Sequence, residues 1–131
     1  MRVSTRRIRC GRHLRLAVLA AAVIAIDARA ELVEIAWDKA GRFETAVSVA
    51  PGKFAEVCGP LDRGQSVAWS FKADRPMNFN IHEGKQVVFP AQQDAAVDAQ
   101  GKLDVSLSQD YCWMWTNKAN APIRLQLLLQ K

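Results

Sequence analysis

Beyond position 30, the 131-residue sequence keeps few residues able to hold a metal or attack a bond. One histidine remains, His82, with two cysteines, Cys58 and Cys112, and Met114 two positions after the second cysteine. Imidazole, thiolate and thioether are the donors of a copper site, so His82, Met114 and a reduced cysteine define one chemistry, that of a copper-handling protein. Blue-copper centres use two imidazoles and a thiolate, whereas residues 31–131 offer one imidazole, and a disulfide would remove the thiolate. The segment Asn78-x-Asn80-x-His82-Glu83 sets three amide or imidazole groups in line on one side of an extended strand. Such groups suit hydrogen bonding to a polar small ligand. The simpler alternative is a solvent-facing row, or one satisfied by a neighbouring loop. Trp37, Trp69, Trp113 and Trp115 could stack on a sugar or meet a protein if exposed, and are core residues if not. Hydrolytic catalysis finds no support, because one histidine has no recognisable nucleophile beside it and Glu56, Glu83 and Asp110 are not paired by spacing. No Gly-rich phosphate loop is present, and no cofactor is implied.

The elements that must position these groups are strands. Val33, Ile35 and Trp37 alternate with polar or small residues, as do Phe43, Thr45, Val47 and Val49 up to Pro51-Gly52. Val67, Trp69 and Phe71 share one face, and Asp74-Arg75-Pro76 breaks the run before Met77, Phe79 and Ile81. Glu83-Gly84 predicts a turn into Gln86-Val87-Val88-Phe89, which Pro90 stops. Ala91–Gly101, rich in Ala, Gln and Asp, predicts a loop or one short helix. Leu103, Val105 and Leu107 resume the alternation. Tyr111 to Trp115 is apolar on both faces, as a strand covered on both sides would be. There, Trp113 and Trp115 share a face with Tyr111, while Cys112 and Met114 share the other. Ile123, Leu125, Leu127 and Leu129 close the chain. Seven or eight short strands predict an all-β antiparallel sandwich of the jelly-roll kind.

The formal charge of +5 does not belong to that domain. Seven of the 18 basic residues fall in the first thirty positions, and from Glu31 onward 11 Lys and Arg face 12 Asp and Glu. A nearly neutral domain lacks the electrostatic footprint of a nucleic-acid binder. Residues 1–30 read as a signal peptide: a basic stretch to Arg15, an apolar run Leu16–Ile26, then Ala28-Arg29-Ala30 before a cleavage point at Glu31. The apolar run has eleven residues, short of the about 20 needed for a membrane span. Residues 31–131 then form one domain in an oxidising, periplasmic or secreted setting. Cleavage removes Cys10 and leaves Cys58 and Cys112 to form one disulfide.

The pattern Cys58-x-x-Leu61-x-x-Gly64, followed by the Val67–Phe71 strand and later Tyr111 and Asn117, resembles the GOLD domain. This is the lumenal β-sandwich of the p24 (emp24/gp25L) secretory cargo adaptors, and the likeness spans roughly Glu56 to Leu129. The resemblance implies a disulfide-closed sandwich and a habit of binding proteins or other ligands. The family's cysteine would stand at Met114, and Cys112 lies one strand repeat away, on the same face. The coiled coil, membrane span and cytoplasmic tail that do the p24 sorting are absent from this sequence. The expected function is therefore an exported, non-enzymatic binding module for another exported protein or a polar ligand. Copper handling and carbohydrate binding by exposed tryptophans are the alternatives.

Overall fold

The computed structural model describes residues 30–83 and 88–131. The signal-peptide reading, Ala30 aside, and most of the expected turn after Glu83 lie outside the described residues. The described chain is all β: β1 (Glu31–Glu34), β2 (Arg42–Val49), β3 (Phe54–Leu61), β4 (Ser66–Glu83), β5 (Val88–Asp104), β6 (Gln109–Thr116) and β7 (Ile123–Gln130). No helix among the described residues is long and apolar enough to cross a membrane.

The strands run in the order β1-β3-β6-β4-β7-β2, with β5 on β4. What folds this sheet into two layers is β4. Its residues Ala68–Ala73 pair with β7, and its residues Asn78–Glu83 pair with β6. The expected break at Asp74-Arg75-Pro76 is therefore a corner within one strand, not an end. The β4–β5 register shifts there, between Lys72 and Met77, and Asp74, Arg75 and Pro76 stand exposed as a bulge. Asp74 Oδ1 accepts a hydrogen bond from the Arg124 backbone N–H at 3.1 Å, which ties the corner to β7. One layer is thus β1, β3, β6 and the end of β4; the other is the start of β4, β7 and β2.

The expected all-β sandwich is observed, with two local departures. Pairing is antiparallel except between β1 and β3, which run parallel. Since β2 lies in the opposite layer, the chain crosses over and returns in its original direction, which parallel pairing requires. Ala91–Gly101 is neither loop nor helix but most of β5, paired with β4 nearly throughout. Its composition is poor in strand formers, yet β4 supplies a ladder for it, and only Ala96 within it must be buried. Pro90 does not stop this strand, because β5 pairs on one side only and an edge tolerates proline. Beyond β5, Leu107 is exposed rather than part of the alternating face.

Between the layers lie Tyr111, Trp113 and Trp115 of β6, Phe71, Phe79 and Ile81 of β4, and Leu125, Leu127 and Leu129 of β7, all buried. Trp115 stacks on Phe79 at 5.5 Å and meets Phe71 edge-on at 5.5 Å. The Trp69 indole covers Gly101, its pairing partner on β5, so closely that a Cβ there would sit 2.7 Å from Trp69 Cζ2. Gly101→Val is expected to lower stability by about 1–3 kcal/mol through overpacking. A thermal melt checks this, and an unchanged midpoint would show that the indole can swing aside.

Candidate functional site

The register of three strands assembles the site on the outer face of the β1-β3-β6-β4 layer. Cys58 pairs with Cys112 across β3 and β6, and Cys112 pairs with His82 across β6 and β4. One row along, Glu56 pairs with Met114 and Met114 with Asn80; in the next, Phe54 pairs with Thr116 and Thr116 with Asn78. Paired residues point the same way, so these side chains share a face. On β1, Leu32 stands beside Glu56 and Glu34 beside Cys58. Leu32 is 71% exposed.

Cys58 and Cys112 are bonded. Their Cα atoms are 4.1 Å apart, the close spacing of a non-hydrogen-bonded antiparallel pair. The disulfide therefore lies on the outer face, half-buried, and the aromatics of β6 fill the interior behind it. Trp113 and Trp115 are wholly buried. They leave the candidate site, because a fully enclosed indole presents no surface for a sugar to stack on. Each also keeps an indole N–H without a hydrogen-bond partner. Trp69 is buried as well, and Trp37 is half-covered, with Lys131 Nζ 4.7 Å from its ring centroid.

The Asn78–His82 row is real, and its members are partly tied to neighbours. Asn78 Oδ1 accepts a 3.2 Å hydrogen bond from the backbone N–H of Ala95, the β5 residue with φ of 52°. Asn80 Oδ1 lies 2.9 Å from His82 Nδ1. With Nδ1–H donating there, the other ring nitrogen, Nε2, faces Glu56 Oε1 across β6 at 3.6 Å. Both side chains are about one-fifth exposed. Ligand atoms of Glu56, His82 and Cys112 all lie within 4.8 Å of one another. An open depression lined by Pro60, Asp62, Ser108 and Asp110 gives solvent access to His82 and Cys112. In the disulfide form, the thiolate that a copper site would take from Cys58 or Cys112 is absent.

Glu56 is the residue that spacing did not place. Once Cys58 and Cys112 are taken as directly opposed, stepping two residues back on β3 and two forward on β6 sets Glu56 against Met114. Its meeting with His82, 26 positions away, needs the β4–β6 register as well. The other residues behind the GOLD likeness serve the fold. Tyr111 donates its hydroxyl to the Leu107 carbonyl at 3.0 Å. Buried Asn117 donates to the carbonyls of Val49 and Ala121 and accepts from the Ala119 N–H.

Charge is divided between the layers. β1, β3, β6 and residues 77–83 of β4 contain Glu31, Glu34, Glu56, Glu83 and Asp110, and no Lys or Arg. The opposite layer mixes its signs: Arg42 meets Glu44 at 2.8 Å, and Lys102 of β5 lies 3.4 Å from Asp104. The Ser66 hydroxyl and Lys102 hold the Asp104 carboxyl below its ordinary range.

No protein-family model matches the chain, and no curated protein does. Among solved structures, it is similar to Aeromonas hydrophila PliG, a periplasmic lysozyme inhibitor of g-type lysozyme. The identity is 14% and the TM-score 0.60, over 78% of this chain and 96% of that one. It is also similar to the pre-peptidase C-terminal domain of a Bacillus anthracis collagenase, at 12% identity and a TM-score of 0.60, covering 77% and 96% of the two chains. Salmonella Typhimurium PliG matches at 8% identity and a TM-score of 0.55, covering 76% and 97%. Likenesses at these identities establish a shared all-β, sandwich-like fold.

Proposed function

We propose that this chain is an exported, non-enzymatic protein-binding module whose docking face is the outer surface of β1, β3, β6 and the end of β4. The observation that carries the proposal is the one-signed charge of that face, where Glu34, Glu56 and Asp110 surround a half-buried centre with no cation on the same strands. Charge of one sign over a pleated surface selects partners of the opposite sign and speeds their encounter. The leader-like residues 1–30 support export. The PliG structures support a binding role, since those proteins are periplasmic inhibitors of another protein. Kinship with GOLD domains belongs to the same proposal, as a disulfide-closed sandwich that binds in an oxidising compartment.

A g-type lysozyme is the first partner to test, by inhibition of its activity and by calorimetry at two salt concentrations. The expected result is a complex that weakens with salt and that Glu34→Lys with Asp110→Lys weakens at least about tenfold, as loss of a complementary charge pair can do. If no lysozyme binds, and the proteins retained from an exported fraction are the same for both forms of the chain, the acidic face has no such role.

A further inference from the structure

We propose that opening the Cys58–Cys112 disulfide turns the centre of this face into a zinc site, with Cys58, Cys112, His82 and Glu56 as its four ligands. The three strands already hold the donors together. Cys58, Cys112 and His82 form one continuous row, and Glu56 lies one row away with its carboxylate turned toward the imidazole. The atoms of Glu56, His82 and Cys112 lie within 4.8 Å of one another, and Cys58 Sγ is bonded to Cys112 Sγ. Nε2 and Oε1 are 3.6 Å apart. Two ligands at tetrahedral zinc distances are separated by roughly 3.3–3.5 Å, so this edge of the tetrahedron needs little adjustment.

The surroundings favour a cation as well. Hydrogen bonding of Nδ1 to Asn80 Oδ1 fixes the ring and its tautomer, the usual support for a metal-bound histidine. That tautomer aims the Nε2 lone pair at a carboxylate, two acceptors with no donor between them. After reduction, two thiols stand beside this pair of acceptors, and one metal ion would join all four donors. Two thiolates, an imidazole and a carboxylate suit tetrahedral Zn2+, while Cu2+ would oxidise the thiols back to the disulfide.

The chemistry balances with a dithiol as the reductant. One of its thiolates attacks a cysteine sulfur and the Cys58–Cys112 bond breaks. Its second sulfur then closes the reductant's own disulfide, leaving both cysteines as thiols after two electrons and two protons have been transferred. Zn2+ replaces those two protons, which pass to solvent, with no change in its oxidation state. The ion restores the link between β3 and β6 that reduction removed and shields the dithiol from reoxidation. This inference does not depend on the protein-binding role, and its test leaves Glu34 and Asp110 untouched.

The test is Co2+ and Zn2+ titration of the protein, oxidised and after reduction with a phosphine. Expected are one Co2+ per reduced chain, intense tetrahedral visible bands with thiolate charge transfer, and displacement by Zn2+. The oxidised protein should bind at least about a hundredfold more weakly, and His82→Gln should lose the tetrahedral bands. Asn80→Ala should weaken Zn2+ binding roughly tenfold by freeing the ring, while Met114→Leu should change nothing. Equal binding by oxidised and reduced protein, or an unchanged spectrum in His82→Gln, overturns the site. If reduction unfolds the chain, Zn2+ should restore its far-UV circular dichroism in the wild type and not in His82→Gln; failure to restore the wild type also overturns it.

Discussion

Replacing Cys58 and Cys112 together by serine is expected to lower the free energy of unfolding by about 4 kcal/mol, read from urea denaturation under non-reducing conditions. The bond joins residues 54 positions apart, so the unfolded chain without it gains the freedom of a loop about half as long as residues 31–131. A domain of this size has roughly 5–15 kcal/mol in all, so the variant should unfold within a mild denaturant range or at modest temperature. The direction follows from where the bridge lies. It sits on the outer face between strands that are already hydrogen-bonded along eight residue pairs, so serine at both positions leaves no cavity in the core. The loss should therefore appear as a lower midpoint with a native near-UV spectrum retained below it. A loss well under about 1 kcal/mol would mean that the strand pairing persists in the unfolded chain and that the loop-closure account is wrong.

Trp115→Ala should cost about as much for the opposite reason. The indole is wholly buried, stacks on Phe79 and meets Phe71 edge-on, and lies where β4 passes from one layer to the other. Truncation removes the contacts that join the layers and leaves a void that β-sheet side chains cannot readily close, about 3–5 kcal/mol. Trp115→Phe is the informative companion. It keeps an aromatic ring and removes an indole N–H that has no partner, so part of the packing loss is offset. Its expected cost is about 1–2 kcal/mol, well below that of alanine. Equal losses for both variants would show that the ring's size matters less than the shape of its bicyclic edge.

The strands were legible because each buries one side, and apolar residues at every second position record which side that is. This held for Phe43–Val49, Val67–Phe71, Met77–Ile81 and Ile123–Leu129. It failed for Ala91–Gly101, whose strand is imposed by hydrogen bonding to β4 rather than by its own side chains. At Asp74-Arg75-Pro76 the local signal marks an interruption within a continuous strand, not its end. A bulge and a turn share their residue preferences, and only the partner strands distinguish them. The buried tryptophans show a related limit. Periodicity placed Trp113 and Trp115 opposite Cys112 and Met114, but which face of the strand is covered depends on the second layer.

For the site, the sequence of residues 31–131 by itself determined the donors: one imidazole, the Asn78–His82 row, and two cysteines for one bond. Types and parity are local properties, set by composition and by the two-residue repeat of an extended chain. The tertiary structure decided that the disulfide lies on the outer face, that the tryptophans do not, and that Glu56 meets His82 across β6. It also decided that Glu34, Glu56 and Asp110, from three separate strands, gather on one face, and the described residues of those strands include no Lys or Arg. These are matters of register between strands distant in sequence, and a change of two residues in one register would move Glu56 away from His82 while leaving every side chain on its own face.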